Sequence, residues 1–184
     1  MALIKTKTVL DALQSTLEAL VFPEGHAFDG QNIFEAVHLY SIDNVERAVV
    51  DLIEAANDRL CFVIPVEDDL RHKTNGAKLS TTRMGGFRLI LSDRDYEPGE
   101  PAFMGDGSVY PGLVNMKDTV IEKLLGHNLG MLNVVVMPMG GETYKFQKSK
   151  KDVSGAREAY VMDVDISMGR TETAINRGTS IYRR

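Results

Sequence analysis

Two short apolar runs bracket a long polar interval, and this arrangement constrains the fold more than any other feature of the chain. Residues 60–65 (LCFVIP) and 87–91 (FRLIL) are apolar, in part β-branched or aromatic, and read as strands. The interval between them, VEDDLRHKTNGAKLSTTRMGG, has neither helical nor strand periodicity. Read as a loop, it is long for a compact domain, where such loops are usually functional or disordered. It carries charge, glycine and threonine but no convincing catalytic set. The expectation is a segment that grips other chains.

Local patterns place the remaining elements. Val9, Leu10, Leu13, Leu17 and Leu20 share one stripe and predict a helix over 6–20, stopped by Pro23 and Gly25. Residues 34–40 (FEAVHLY) suit a short strand or a helical turn. Asp43, with Glu46 three residues on, marks the start of a second helix over 44–57, with Val45, Val49, Leu52, Ile53 and Ala56 on its buried face. A third helix is expected over 116–125, ended by Gly126. Residues 132–137 (LNVVVM) read as a strand stopped by Pro138 and Gly140-Gly141. Residues 142–147 read as a short strand or a hairpin arm, and 159–168 (AYVMDVDISM) as an alternating closing strand.

These elements predict an α+β fold with a mixed, mostly antiparallel sheet flanked by helices on one face. The expected layout is a single domain over 1–168, with inserted loops at about 66–86 and 94–115 and an extended C-terminal arm over 169–184. At 184 residues one domain is the natural reading. A net charge of −5 argues against a nucleic-acid footprint covering the whole domain. The single cysteine, Cys61, lies in an apolar strand and gives no support to an oxidising compartment. MALIKTKTVL has no apolar run of signal-peptide length, and no stretch reaches the roughly 20 apolar residues of a membrane span. The expectation is a soluble, intracellular chain.

Candidates for chemistry compete with plainer readings. Glu67, Asp68, Asp69 and His72 offer hard ligands to a cation, or simply form a solvated strand end. Asp163 and Asp165, two apart on a strand, point to one face and could pair for acid–base work, or form the polar side of an amphipathic strand. Glu142 and Lys145 have the residue types of a nuclease pair but an ExxK spacing instead of ExK. His26, His38, His72 and His127 are scattered without zinc spacing. There is no phosphate-binding GxxxxGK[ST] loop, no GxGxxG opening a helix and no GxSxG. No cofactor or metal is expected and no catalytic residue is assigned.

Basic residues gather in Arg71, Lys73, Lys78 and Arg83, then in Lys145, Lys148, Lys150 and Lys151. Arg170, Arg177, Arg183 and Arg184 follow in the tail. With acids elsewhere, this segregation fits charge-complementary contact between copies of the chain. Phosphate contact and simple solvation are the rival readings. The expected contact residues are Arg71, Lys73, Lys78, Arg83, Tyr96, Tyr110, Arg170 and Arg177.

Taken together, the opening helix VLDALQSTLEAL, the helix-to-strand unit leading into CFVIP, the long interval before FRLILSDR, the helix MKDTVIEKLLG and the strand AYVMDVDISM resemble the tail-terminator family of long-tailed bacteriophages. The resemblance covers most of residues 1–168 and is one of element order and texture; no sharp motif carries it. Residues 21–42, the 94–115 interval and the tail are longer than that family's compact form needs. The resemblance implies a non-enzymatic virion protein, located in the tail or neck and in host cytoplasm during assembly. It implies a ring, commonly a homohexamer, that caps the tail tube and joins it to the head connector. Its implied partners are other copies of itself, the tail tube protein, the head connector or neck protein, and the sheath protein of a contractile tail. The resemblance further implies that DNA passes through the lumen without specific binding and that no membrane is involved. The alternatives are another head–tail joining or tube component and, in a different class, a metal-dependent nuclease or hydrolase.

Overall fold

The structure, a computed structural model, describes residues 4–41, 45–55, 57–75, 78–94, 105, 111–146 and 157–174. Its elements in chain order are α1 (Thr6–Glu18), β1 (Ala36–Leu39), α2 (Val45–Glu54), β2 (Leu60–Asn75), β3 (Lys78–Arg94), α3 (Gly112–Leu124), β4 (Val134–Phe146) and β5 (Arg157–Ala174). The five strands form one sheet in the order β1-β2-β3-β5-β4. β1 runs parallel to β2, and every other pairing is antiparallel. The class is therefore α+β with a mixed, mostly antiparallel sheet. Among the described residues no helix is long and apolar enough to cross a membrane.

Strand alternation divides the core in two. Cys61, Val63, Phe87, Leu89, Leu91, Met162, Val164 and Ile166 point to one face, where they pack with Val9, Leu13 and Leu17 of α1 and Leu113, Met116, Val120 and Leu124 of α3. Leu60, Phe62, Ile64, Ile90 and Ala159 point to the other face and meet Ala48 and Leu52 of α2. So α1 and α3 cover one face and α2 covers one end of the opposite face. The helices flank both faces, where the sequence reading expects one, because alternate residues of the central strands are apolar on both sides. The α3 stripe starts at Leu113, three residues before the expected helix; the run Leu113, Met116, Val120, Leu124 is fully buried. The expected cap Asp43 and the α2 face residue Ala56 lie outside the described residues.

The interval 66–86 is not a loop. β2 and β3 run through it as one long hairpin, paired from Leu60↔Ser92 to Asn75↔Lys78, with an irregularity between Pro65 and Glu67. Backbone hydrogen bonding to a neighbour satisfies such a segment whatever its side chains are, so polar residues persist where no helix covers the sheet.

β4 likewise unites two expected strands. It passes Pro138 and Gly140-Gly141 through a bulge and stays on β5 throughout. β5 continues beyond Met168. Gly169 sits at φ 65, donates its N–H to the Asn133 carbonyl at 2.6 Å, and marks the irregularity that carries residues 170–174 onto β3. Residues 169–174 therefore belong to the sheet and not to a separate arm, and 175–184 lie outside the described residues.

Candidate functional site

Strand length sets the character of the surface. β2 has 16 residues and β3 has 17, so each spans about 55 Å at ~3.3 Å per residue. The 13 residues of α1 and of α3 span only about 20 Å at ~1.5 Å per residue. Among the described residues, no helix lies over much of the sheet. Past Leu70, Arg83 and Met168, which sit side by side, β4 has ended; β2, β3 and β5 continue together as a three-stranded arm. Residues 71–74 are exposed along its outer strand.

The arm gathers much of the expected basic set. Arg71 and Lys73 lie on β2, Lys78 opens β3, and the backbone of Arg170 pairs with Thr82, which itself pairs with Arg71. Arg71 holds Asp69 at 3.0 Å and stays exposed. Arg83 is engaged within its own chain: its Nε donates to Asp68 Oδ1 at 2.7 Å and its Nη1 to the Ile4 carbonyl at 3.2 Å. It therefore ties the root of the arm to the segment before α1. Tyr96, Tyr110 and Arg177 lie outside the described residues.

The Arg83 guanidinium hydrogen-bonded to Asp68 holds that carboxyl below its ordinary range against a smaller opposing effect of burial, and Thr6 adds a weaker hydrogen bond. A depressed folded-state pKa stabilises the fold above the unfolded value of ~4, and the stabilisation is lost as pH falls through the folded value. The pair is partly exposed, so solvent screening keeps the effect small. Urea unfolding across a pH series should find Asp68→Asn slightly less stable than the parent at neutral pH. The variant's acid limb should be flatter than the parent's below about pH 4.

On the face shared with α2, Arg88 and Asp163 are directly opposed in register. They form a two-pronged ion pair at 2.8 and 3.1 Å. Tyr144 donates to Glu142 at 2.8 Å. Gly140, Gly141 and Val161 complete a cleft of about 410 Å³. Asp163 and Asp165 do share a face, but Arg88 occupies Asp163. Glu67, Asp68 and Asp69 alternate across the sheet and do not converge. His72 Nδ1 lies 3.0 Å from Thr81 Oγ1 across the hairpin. Glu142 and Lys145, three apart on a strand, point to opposite faces; Lys145 approaches Glu158 at 3.7 Å. Among the described residues no group of three potential ligands is placed to hold a metal ion.

The other histidines serve local structure. His26 stacks on Phe22 with ring centroids 4.8 Å apart, and His127 Nδ1 accepts the Leu129 N–H at 3.0 Å. His38 meets the Phe62 ring edge-on. Cys61 is fully buried, which pushes its thiol up and leaves it unreactive.

Two residues stand out that the sequence reading assigned no role. Arg88 is the polar position within an apolar run; its alternation against Asp163 was a usable signal. Arg157 had none. Its guanidinium, 1% exposed, donates to the carbonyls of Ala55 at 2.8 Å, Asp58 at 2.9 Å and Asn57. It caps the end of α2 from a hundred residues away in sequence.

No protein-family model matches this chain, and no curated protein matches it in sequence.

Proposed function

We propose that this chain is a non-enzymatic structural protein of a phage tail. Copies of it close into a ring, a hexamer in the terminator reading, that caps the tail tube and offers its far side to the head connector. The observation that carries this reading is the three-stranded arm, a part of the sheet that extends past α1, α3 and β4 with exposed charge along β2. A small domain gains little stability from the exposed outer strand of this arm, residues 71–74, whereas a neighbouring copy can bury it. A head-to-tail contact of this kind closes into a ring when its rotation allows. In this reading the partners are further copies, the tail tube protein, the head connector and, in a contractile tail, the sheath. The chain then resides in the virion. Another head–tail joining component with the same sheet would use the arm in the same way.

Native mass by light scattering, combined with negative-stain images, tests the reading. The expected result is closed rings of one copy number with an open centre, or rings formed on the ends of purified tail tubes. Particles that remain monomeric at every concentration and ignore tube ends would overturn it. Magnesium-dependent cleavage of plasmid DNA that is lost in Asp163→Asn would instead move the chain to the hydrolase class.

A further inference from the structure

We infer that the contact between neighbouring copies is an antiparallel pairing of residues 67–72 of β2 in one copy with residues 141–146 of β4 in the next. This inference deepens the ring reading and rests on it. Both strands present an edge. β4 is the last strand of the sheet, and β2 is covered by β1 only over Leu60–Val63. Among the described residues, neither edge has a strand partner over 67–72 or 141–146. Such rows of backbone N–H and C=O groups are templates for a further strand.

The polarity is right. Three antiparallel steps separate β2 from β4, so the two strands run in opposite directions. A neighbour brought up in the same orientation, as a head-to-tail ring requires, therefore offers β4 antiparallel to β2 and keeps the two sheet faces continuous. Because β1 occupies the start of β2, the neighbour is stepped along the strand direction and does not sit level.

Side-chain facing and charge then select the register. After their bulges, β2 is regular from Glu67 and β4 from Gly141. Glu67, Asp69 and Arg71 share the α2 side of the sheet with Glu142, Tyr144 and Phe146. A shift by one residue would exchange the faces. Pairing Glu67 with Phe146 sets Lys145 opposite Asp68, Thr143 opposite Leu70 and Glu142 opposite Arg71. Sliding by two residues one way sets Glu142 against Asp69, two like charges. Sliding the other way leaves a single complementary pair, Glu142 with Lys73. Only the first register gives two complementary pairs. It also covers part of Leu70, which is 48% exposed in the single chain.

Charge reversal tests the pairing. Arg71 and Glu142 are exposed and hold only surface partners, Asp69 and Tyr144, so Arg71→Glu and Glu142→Arg should shift the urea midpoint of the monomer only slightly. Each should raise the concentration needed for ring formation by about tenfold or more, and the double reversal should restore it. Separately, Leu70→Cys mixed with Thr143→Cys should give disulfide-linked dimers on oxidation that neither variant gives alone. Directly opposed residues on antiparallel strands lie about 4.5–5.5 Å apart at Cα, within disulfide range, and the buried Cys61 does not compete. Rings that form normally in both reversals and never cross-link at these positions overturn the pairing but leave the ring reading standing. Singles that weaken assembly without rescue by the double overturn the register. A chain that forms no ring at all removes both.

Discussion

Replacing Arg157 with methionine is expected to lower the unfolding free energy by about 3–5 kcal/mol. The methionine fills much of the same volume, so lost packing is not the main cause. The Ala55, Asn57 and Asp58 carbonyls all point at this guanidinium just beyond the end of α2. Carbonyls at a helix end have no partner within the helix, and leaving a buried one unsatisfied costs about 1–3 kcal/mol. A lysine at the same place keeps the charge but lacks the planar fork that reaches several oxygens at once, so Arg157→Lys should recover only part of the loss. Urea unfolding measures the difference: the midpoint should fall with the slope unchanged. Amide exchange should locate the effect in α2, whose Ala48 and Leu52 are its main anchors on the sheet. A methionine variant within ~0.5 kcal/mol of the parent would show that Arg157 is incidental to α2.

Gly141→Val should be almost as damaging, for a steric reason. A Cβ built at Gly141 would lie 2.2 Å from the Val161 carbonyl oxygen and 2.9 Å from the Met162 Cα. The obstacle is backbone of the neighbouring strand, which cannot turn away as a side chain can. β4 must then separate from β5 beyond the bulge, at a cost of about 3 kcal/mol. Gly140 is the control. A Cβ there meets nothing within 4 Å, so Gly140→Ala should stay within ~0.5 kcal/mol of the parent. Thermal melts of the two variants side by side make the comparison. Equal losses at both positions would mean that the bulge matters for its flexibility and not for close approach. If the inferred pairing of β2 with β4 holds, Gly141→Val also disrupts assembly at concentrations where the monomer is still folded.

The residues of the candidate site were legible in the sequence to different degrees. Arg71, Lys73, Lys78 and Arg83 stand in the sequence as one basic group and Arg170 in another, and the hairpin register brings the backbone positions of Arg71, Lys73, Lys78 and Arg170 onto one arm. Arg83 belonged to the same set on charge alone. Which way a strand residue points depends on register, and register sends Arg83 toward α1 and Asp68. The acid run Glu67-Asp68-Asp69 offers a ligand set or a solvated strand end by sequence alone, and adjacency in sequence cannot choose between them. In an extended strand successive side chains part to opposite faces.

The sequence by itself determined the elements whose burial is periodic. The stripe of α1, the apolar centres of β2, β3 and β5 and the late turns of α3 follow from which side chains must leave water, and that information is local. Tertiary structure alone decided the rest. Residues 67–75 and 78–86 are strand because they pair with one another across the hairpin, and Gly169 lets β5 run on beside them. No side-chain pattern records this where none of the described helices lies over the sheet. α2 reaches the opposite face from α1 and α3, held there by the buried Arg157 from the far end of the chain. Hydrogen bonds between distant residues depend on where the backbone goes, and no short window of sequence contains that.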